Sequence, residues 1–425
     1  MPTQTFSAQN MLRSSFHLER KHSAARLRKA AKLSANAIAE GRWVWPEVKS
    51  GLANGKKTYF FSSLDAQLVA NRISDNLKYA YRVFPPDRQL VVRQLEMLLR
   101  EAVPFSVLRL DISKFFESVD VSALLSKLDR DMIATTETRE LLASFLQHVY
   151  DEVGVAGLPR GFPVSSVLSE LVLSEFDSSM RRRVGVYYYT RFVDDIVVFC
   201  SKEPTQTKAI AARTLKDYGL KLSPTKYHRI DVECAASASS APSAISKCFP
   251  TCKCPENEAP PATLSYLGYT FAFATVPNSA NQKKGKSLTI SLSRNKVKKI
   301  KTRIIESLND YFSTSDYQLL LDRIKFLTGN YIVSKSDSGS VLLNGNSFNY
   351  QNVTDLKSFD ELDRFKAKVI FSRTGPIGLK IGFSPMTLAQ KRNIAKVSFR
   401  HGFRSKLIHR FTPSRVEEIT SAFRQ

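Results

Sequence analysis

Tyr187-Tyr188-Tyr189-Thr190-Arg191-Phe192-Val193-Asp194-Asp195-Ile196-Val197-Val198-Phe199 decides the reading of this 425-residue chain. An aromatic and β-branched run meets two adjacent carboxylates and gives way to a second apolar run. Each run predicts a buried strand, which places the acidic pair in the tight turn of a hairpin. An Asp-rich surface turn is the bland alternative. Ionised carboxylates between apolar strands are costly without a counter-charge, and divalent cations supply one wherever phosphates are handled.

A second acidic site strengthens the metal reading. Val107-Leu108-Arg109-Leu110-Asp111-Ile112-Ser113-Lys114-Phe115-Phe116 also runs from an apolar strand into an isolated Asp, with an aromatic pair where a helix can begin. Two Mg2+ ions about 3.5–4 Å apart can activate a 3′-hydroxyl and stabilise a leaving pyrophosphate. Asp111 and Asp194 are the expected ligands, from neighbouring strands. Asp195 points the other way along its strand, so its expected part in catalysis and metal binding is weaker. The carbonyl of Ile112 is expected to complete the shell. Mg2+ is the expected metal, with Mn2+ as a substitute.

Composition narrows the partners. A net charge of +24 and a pI near 9.8 exceed what solubility requires and predict a polyanion, most simply nucleic acid. The charge is clustered: residues 283–303 hold nine Lys or Arg and 391–415 hold eight, neither with an acid. Solvated helix faces normally intersperse acids, so these runs read as phosphate tracks. No apolar run approaches a membrane span, and the N-terminal residues lack the pattern of a secretory signal. A cytoplasmic protein with no membrane partner is expected.

The chain predicts an α+β protein with helical extensions. Residues 1–58 are expected to be a basic helical extension, with one helix over 8–41. Trp43 and Trp45 follow it as core anchors rather than base-stacking platforms. Leu64–Tyr79 and Gln89–Glu101 read as helices separated by an extended segment, since Pro85-Pro86 forbids helix. Arg294–Phe312 predicts a strongly basic helix carrying Lys296, Lys298, Lys299, Lys301 and Arg303, expected to bind nucleic acid. Residues 234–262 form a Cys-, Ser- and Pro-rich insertion. Its Cys234, Cys248, Cys252 and Cys254 could make a structural Zn2+ site, but the spacing is not a standard pair of knuckles, and free thiols are the bland reading.

Five segments, in order, resemble the motifs of a reverse transcriptase over roughly residues 59–333. Leu110–Phe116 resembles the first palm motif, Gly157-Leu158-Pro159-Arg160-Gly161-Phe162-Pro163 the second and Phe192–Asp195 the catalytic hairpin. Leu222–Lys226 resembles the lysine motif, and Tyr266-Leu267-Gly268-Tyr269 the primer grip. The resemblance implies a right-hand polymerase fold: fingers and palm over 59–290, a helical thumb over 291–334 and a basic helical region over 335–425. It implies that Phe116 lies under the sugar and excludes a 2′-hydroxyl, with Phe115 in the core. It implies that Lys226 approaches the leaving pyrophosphate, and that Arg82 and Arg88 of the fingers meet the nucleotide or template. Arg160 departs from the family, which often has Gln there, and is expected to grip phosphate or template. Gly157 and Gly161 are expected to let backbone approach nucleic acid.

Arg323-Ile324-Lys325-Phe326-Leu327-Thr328-Gly329-Asn330-Tyr331 resembles a thumb signature of the diverse bacterial reverse transcriptases associated with phage defence. The expected function is therefore RNA-directed DNA synthesis from dNTPs in antiviral defence. The template would be a dedicated non-coding RNA and the product DNA, with a homo-oligomer or a partner protein in attendance. A retron or group II intron enzyme is the near alternative. A nucleic-acid-binding protein with a vestigial polymerase site is the distant one; intact Asp111, Asp194, Asp195 and Phe116 argue against it.

Overall fold

The structure, a computed structural model, describes residues 3–15, 18–19, 22–53, 55–101, 103–232, 262–276, 285–335 and 341–423. The four insertion cysteines, and with them the zinc reading, lie outside the described residues. The chain divides into two compact units, residues 1–87 with 103–233 and residues 88–102 with 234–425. The sequence predicts boundaries after residues 58, 290 and 334, and this division falls elsewhere.

In the first unit, α1 (Ala8–Ser14) and α2 (Ala24–Ala39) replace the single helix expected over 8–41. Ser23 is extended and accepts from the Arg26 amide, so it starts a new helix there. Strands β1 (Val48–Ala53) and β2 (Lys56–Phe61) then form an antiparallel hairpin. Trp45 lies beneath it, buried and stacked on Phe61 at 5.4 Å, its indole N–H 3.0 Å from Ser144 Oγ. It is the core anchor expected of it. Helix α3 (Leu64–Ala80) buries Leu68, Val69, Ile73 and Leu77, a helical period, and ends where Arg82 turns to φ 53°.

Helix α4 (Arg88–Leu99) belongs to the second unit. The first resumes with β3 (Phe105–Asp111), α5 (Phe115–Ser118), α6 (Val121–Asp131), α7 (Thr136–Val153), α8 (Pro163–Val172) and α9 (Ser174–Arg181). It closes with β4 (Val186–Phe192), β5 (Asp195–Cys200), α10 (Pro204–Asp217) and β6 (His228–Val232). The sheet has the order β4-β5-β3-β6 with every neighbour antiparallel. Val107, Leu108, Val197 and Val198 are fully buried at its centre, which is why these strands read as near-continuous apolar runs. Register sets Asp111 opposite Asp195.

The second unit contains an antiparallel sheet of β7 (Ala262–Tyr266), β8 (Tyr269–Val276) and β9 (Gly285–Leu292). Helix α11 (Arg294–Thr314) follows, as the basic spacing predicts, and α12 (Tyr317–Thr328) comes after it. The expected helical C-terminal region also carries strands. β10 (Asn330–Lys335) pairs with β11 (Val341–Gly345), and after α13 (Asn346–Asn349), α14 (Lys357–Ile370), α15 (Gly375–Phe383), α16 (Leu388–Lys396) and α17 (Phe399–Arg404) it pairs with β12 (Ile408–His409). Helix α18 (Pro413–Ser421) ends against Arg323, whose buried guanidinium donates to the carbonyls of Glu418 and Ile419. Among the described residues no helix is long and apolar enough to cross a membrane.

Candidate active site

Pairing of β3 with β5, the strand that follows the acidic turn, brings Asp111 and Asp194 together. Asp111 ends β3, and the Ile112 amide donates to the Asp194 carbonyl at 3.0 Å. The segment before β6 is tied to the same place, with Ser113 N donating to Lys221 O at 2.8 Å and Ser223 N to Asp111 O at 2.7 Å. This brings Lys226 to Asp111: its ammonium lies 2.9 and 2.8 Å from the two carboxylate oxygens. Asp111, Ile112, Asp194 and Lys226 line one cavity of about 480 Å³. Lys226 therefore stands at the acidic site itself, and the sequence places it only near the pyrophosphate.

Asp195 does not join them, contrary to its expected share in metal binding. Arg109 donates from Nε and Nη2 to its two oxygens at 2.9 and 2.8 Å. Burial pushes the Asp195 carboxyl up, Arg109 pulls it down, and the nearby charges of Asp111 and Asp194 push it up again. A partly buried carboxylate beside two others needs a counter-charge, and the guanidinium fork supplies it.

Around the cavity stand residues the sequence reading missed as site residues. Lys56, Lys57 and Tyr59 come from β2, and Lys114 has φ 44° directly after the Asp111 strand. The signal was present in the sequence, where Asn-Gly between two short runs marks a hairpin.

Phe115 is fully buried, as expected, and Phe116 is 8% exposed. Phe116, Lys56 and Arg160 also line an adjoining cavity of about 410 Å³. The Arg160 guanidinium sits 4.5 Å from the Phe116 ring centroid and donates to both oxygens of Glu117, at 2.8 and 3.1 Å. That bonding holds the Glu117 carboxyl below its ordinary range. Gly157 and Gly161 serve a different purpose from the one expected. A Cβ on Gly157 would lie 2.3 Å from Phe116 O, and one on Gly161, at φ 106°, 2.4 Å from Tyr59 O. Both glycines let protein backbone dock on protein backbone, joining the second motif to β2 and to the Phe116 turn.

Arg82 is exposed at the end of α3 and does not line either cavity. Arg88 is a correction. Its guanidinium donates to the carbonyls of Leu267 and Asn349 and lies 5.1 and 4.9 Å from the rings of Tyr269 and Tyr350. Two of its donors are engaged inside the second unit, where they brace the Tyr266–Tyr269 turn. In that turn Leu267 and Gly268 have φ 48° and 81°, and a Cβ on Gly268 would lie 2.9 Å from the Tyr350 hydroxyl. Both conditions select glycine at 268. On α11, Lys298 and Lys299 are exposed. Lys301 instead pairs with Glu361, Arg303 lies 5.1 Å from the Phe423 ring centroid, and Lys296 lies 5.0 Å from that of Tyr350. Burial, then Arg303, Lys299 and Arg88, lowers the Lys296 amine to about 8.

The donor set fits a hard divalent cation. Asp111 is 6% exposed and already holds a cationic group between its two oxygens. Asp194 and Ile112 share its cavity, so carboxylate and carbonyl oxygens are the donors at hand. Among the described residues no group of three or more His, Cys, Asp and Glu side chains is set to hold a metal.

An antiparallel sheet thus presents two carboxylates to a cation-lined cavity. Residues 61–271 match the family described as reverse transcriptase (RNA-dependent DNA polymerase). Residues 61–271 thus carry a reverse transcriptase domain, and the α+β chain has the right-hand polymerase fold. Two solved structures are among those similar to it. One is apo telomerase from Candida tropicalis truncated from its C-terminal domain, at 12% identity and TM-score 0.36, covering 56% of this chain and 57% of that one. The other is telomerase from Candida albicans in complex with a fragment of telomeric RNA, at 12% identity and TM-score 0.36, covering 83% and 54%. The matches span little more than half of either telomerase chain. No curated protein matches this chain.

Proposed function

We propose that this polymerase copies an RNA template into DNA at the cavity shared by Asp111 and Asp194. The carrying observation is that these two carboxylates, from separate segments of the chain, face one cavity whose other walls carry Lys56, Lys57, Lys114 and Arg160. A divalent cation held by Asp111, Asp194 and Ile112 would activate the primer hydroxyl and neutralise charge on the departing pyrophosphate. The residues of the chain supply the remainder. The lysines and Arg160 give the positive lining that a triphosphate requires. Phe116 offers an apolar wall to the sugar, which favours deoxyribonucleotides. Lys226 exchanges Asp111 for the leaving phosphates, acting as a point charge or proton donor. The Tyr266–Tyr269 turn holds the primer end, and Lys298 with Lys299 tracks the backbone. Mg2+-dependent extension of a primer on an RNA template, lost in Asp111→Asn, tests the assignment. Equal extension by the variant would overturn it.

The finer reading is a bacterial, cytoplasmic enzyme of phage defence that copies a dedicated non-coding RNA. Its support is the resemblance of Arg323–Tyr331 to the thumb of that group. Sequencing the nucleic acid that co-purifies with the protein tests it. One discrete DNA paired with one short RNA is expected. Heterogeneous cellular RNA without DNA would remove the dedicated template.

A further inference from the structure

Arg191 is the most completely bonded side chain near the site, and nothing in the chemistry above uses it. Its side chain is 2% exposed. Nε donates to Asp177 Oδ1 at 2.9 Å, and Nη2 donates to Asp177 Oδ2 and Glu170 Oε2, both at 2.7 Å. Nη1 donates to Glu170 Oε1 at 3.2 Å and to the Val193 carbonyl at 2.9 Å. A guanidinium has five donors, and all of them are engaged. Four go to carboxylates on α8 and α9, which fix the plane and position of the fork. Tyr189 holds Asp177 in turn, its hydroxyl 2.6 Å from Oδ1. The fifth donor falls on the acidic turn.

That turn is strained. Val193 has φ 60°, a region that β-branched residues rarely adopt and that persists only where the surroundings over-determine it. The Val193 carbonyl belongs to the same planar peptide as the Asp194 amide, so fixing one orients the other. The peptide on the far side of Asp194 is held too, through the bond from Ile112 N to Asp194 O at 3.0 Å. Asp194 is therefore gripped at both of its peptides, once from β3 and once by Arg191.

We propose that Arg191 is a positioning residue for nucleotidyl transfer. Anchored by Glu170 and Asp177, its guanidinium clamps the Val193 peptide so that Asp194 presents its carboxylate beside Asp111. Burying two carboxylates around one arginine is expensive; burial pushes the Glu170 carboxyl up against the pull of Arg191. A tyrosine, two acids and an arginine are a large outlay for a core position that apolar residues could fill, and they give the fork one fixed direction. The proposal rests on reading Asp194 as a metal ligand.

The test is Mn2+ binding, followed by electron paramagnetic resonance, in folded protein without nucleotide. Asp194→Asn is the reference and must weaken binding; if it does not, the ligand reading itself fails, independently of Arg191. Arg191→Lys keeps the charge and loses the fork. A loss of affinity of roughly tenfold is expected, the scale seen when an outer partner of a metal ligand is removed. Glycine adopts φ 60° without strain, so Val193→Gly added to Arg191→Lys should recover most of that loss. A merely structural arginine predicts no such recovery, and its absence would overturn the proposal. So would wild-type Mn2+ affinity in a folded Arg191→Lys. If Arg191→Lys does not fold, Glu170→Ala releases two of the four anchoring bonds. A weaker Mn2+ affinity that Val193→Gly restores supports the clamp, and an unchanged affinity refutes it.

Discussion

Arg109 holds Asp195 through both carboxylate oxygens, at 2.9 and 2.8 Å, and so takes the second of two adjacent aspartates out of the metal site. The pair lies diagonally across β3 and β5, where Asp111 faces Asp195 and Arg109 faces Val197. Asp111→Asn and Asp194→Asn should each reduce nucleotide incorporation to background with the fold intact. Asp195→Ala should act chiefly on stability. It removes the carboxylate that accepts two bonds from a partly buried guanidinium, at a cost of about 1–3 kcal/mol. Urea unfolding and Mg2+-dependent primer extension, run on all three variants, separate the two effects. Full activity loss in a stable Asp195→Ala would return Asp195 to the metal site.

The acidic centre was legible because its strands are buried on both faces. Val107, Leu108 and Leu110 before Asp111, and Ile196, Val197 and Val198 after Asp195, make runs in which Arg109 is the one polar interruption. The helices over 64–80 and 294–314 were legible from the spacing of their residues. The fate of each charge was not. Arg88 and Arg109 look alike in sequence to any phosphate-binding arginine, and only tertiary placement commits one to carbonyls and the other to Asp195. The Lys56–Lys57 wall was hidden in a basic N-terminal stretch, which composition alone reads as a helical arm. The clamp from Arg191 to Val193 spans two residues, yet it depends on Glu170 and Asp177, which no local pattern connects to it.

Phe116 and Arg160 should be separable by kinetics. Phe116→Val shortens the wall under the sugar and should raise ribonucleotide relative to deoxyribonucleotide incorporation by about tenfold or more. Arg160→Gln removes the guanidinium above that ring and frees the Glu117 carboxylate, which lines the Asp111 cavity. A free negative charge there should raise KM for dNTP several-fold, and Glu117→Gln in the same chain should reverse part of the rise. Steady-state constants for both sugars decide it. An unchanged sugar preference in an active Phe116→Val would remove the gate.

Lys296 predicts a pH dependence with a defined sign. Burial among Arg303, Lys299 and Arg88 moves its amine from the usual 10.5 to about 8. Below pH 8 the amine is charged in both folded and unfolded chains, so the folded state bears the full cost. Between pH 8 and 10.5 the folded amine releases its proton before the unfolded one, and stability rises with pH. Lys296→Met should therefore be more stable than the parent at pH 7, by about 1–2 kcal/mol given partial solvent screening. The difference should shrink toward pH 10.5. Urea titrations of both proteins across this range measure it, and a gap that stays constant with pH would place the effect in packing alone.

The basic face of α11 should bind backbone phosphates through fewer residues than its charge suggests. Lys298 and Lys299 are exposed, whereas Lys301 pairs with Glu361 and Arg303 lies against Phe423. Each phosphate contact adds about 0.7–0.9 to the slope of log K against log salt. Neutralising Lys298 and Lys299 together should thus lower that slope by about 1.4–1.8, evenly across sequences, since backbone contacts carry no sequence information. The stability change should stay within about 0.5 kcal/mol, as for most exposed substitutions. Lys301→Gln with Arg303→Gln should move the slope less and the stability more, because their partners lie within the protein. Binding isotherms at several salt concentrations distinguish the pairs. Equal slopes for the parent and the Lys298/Lys299 double variant would make this stretch a solvated helix face with no part in holding nucleic acid.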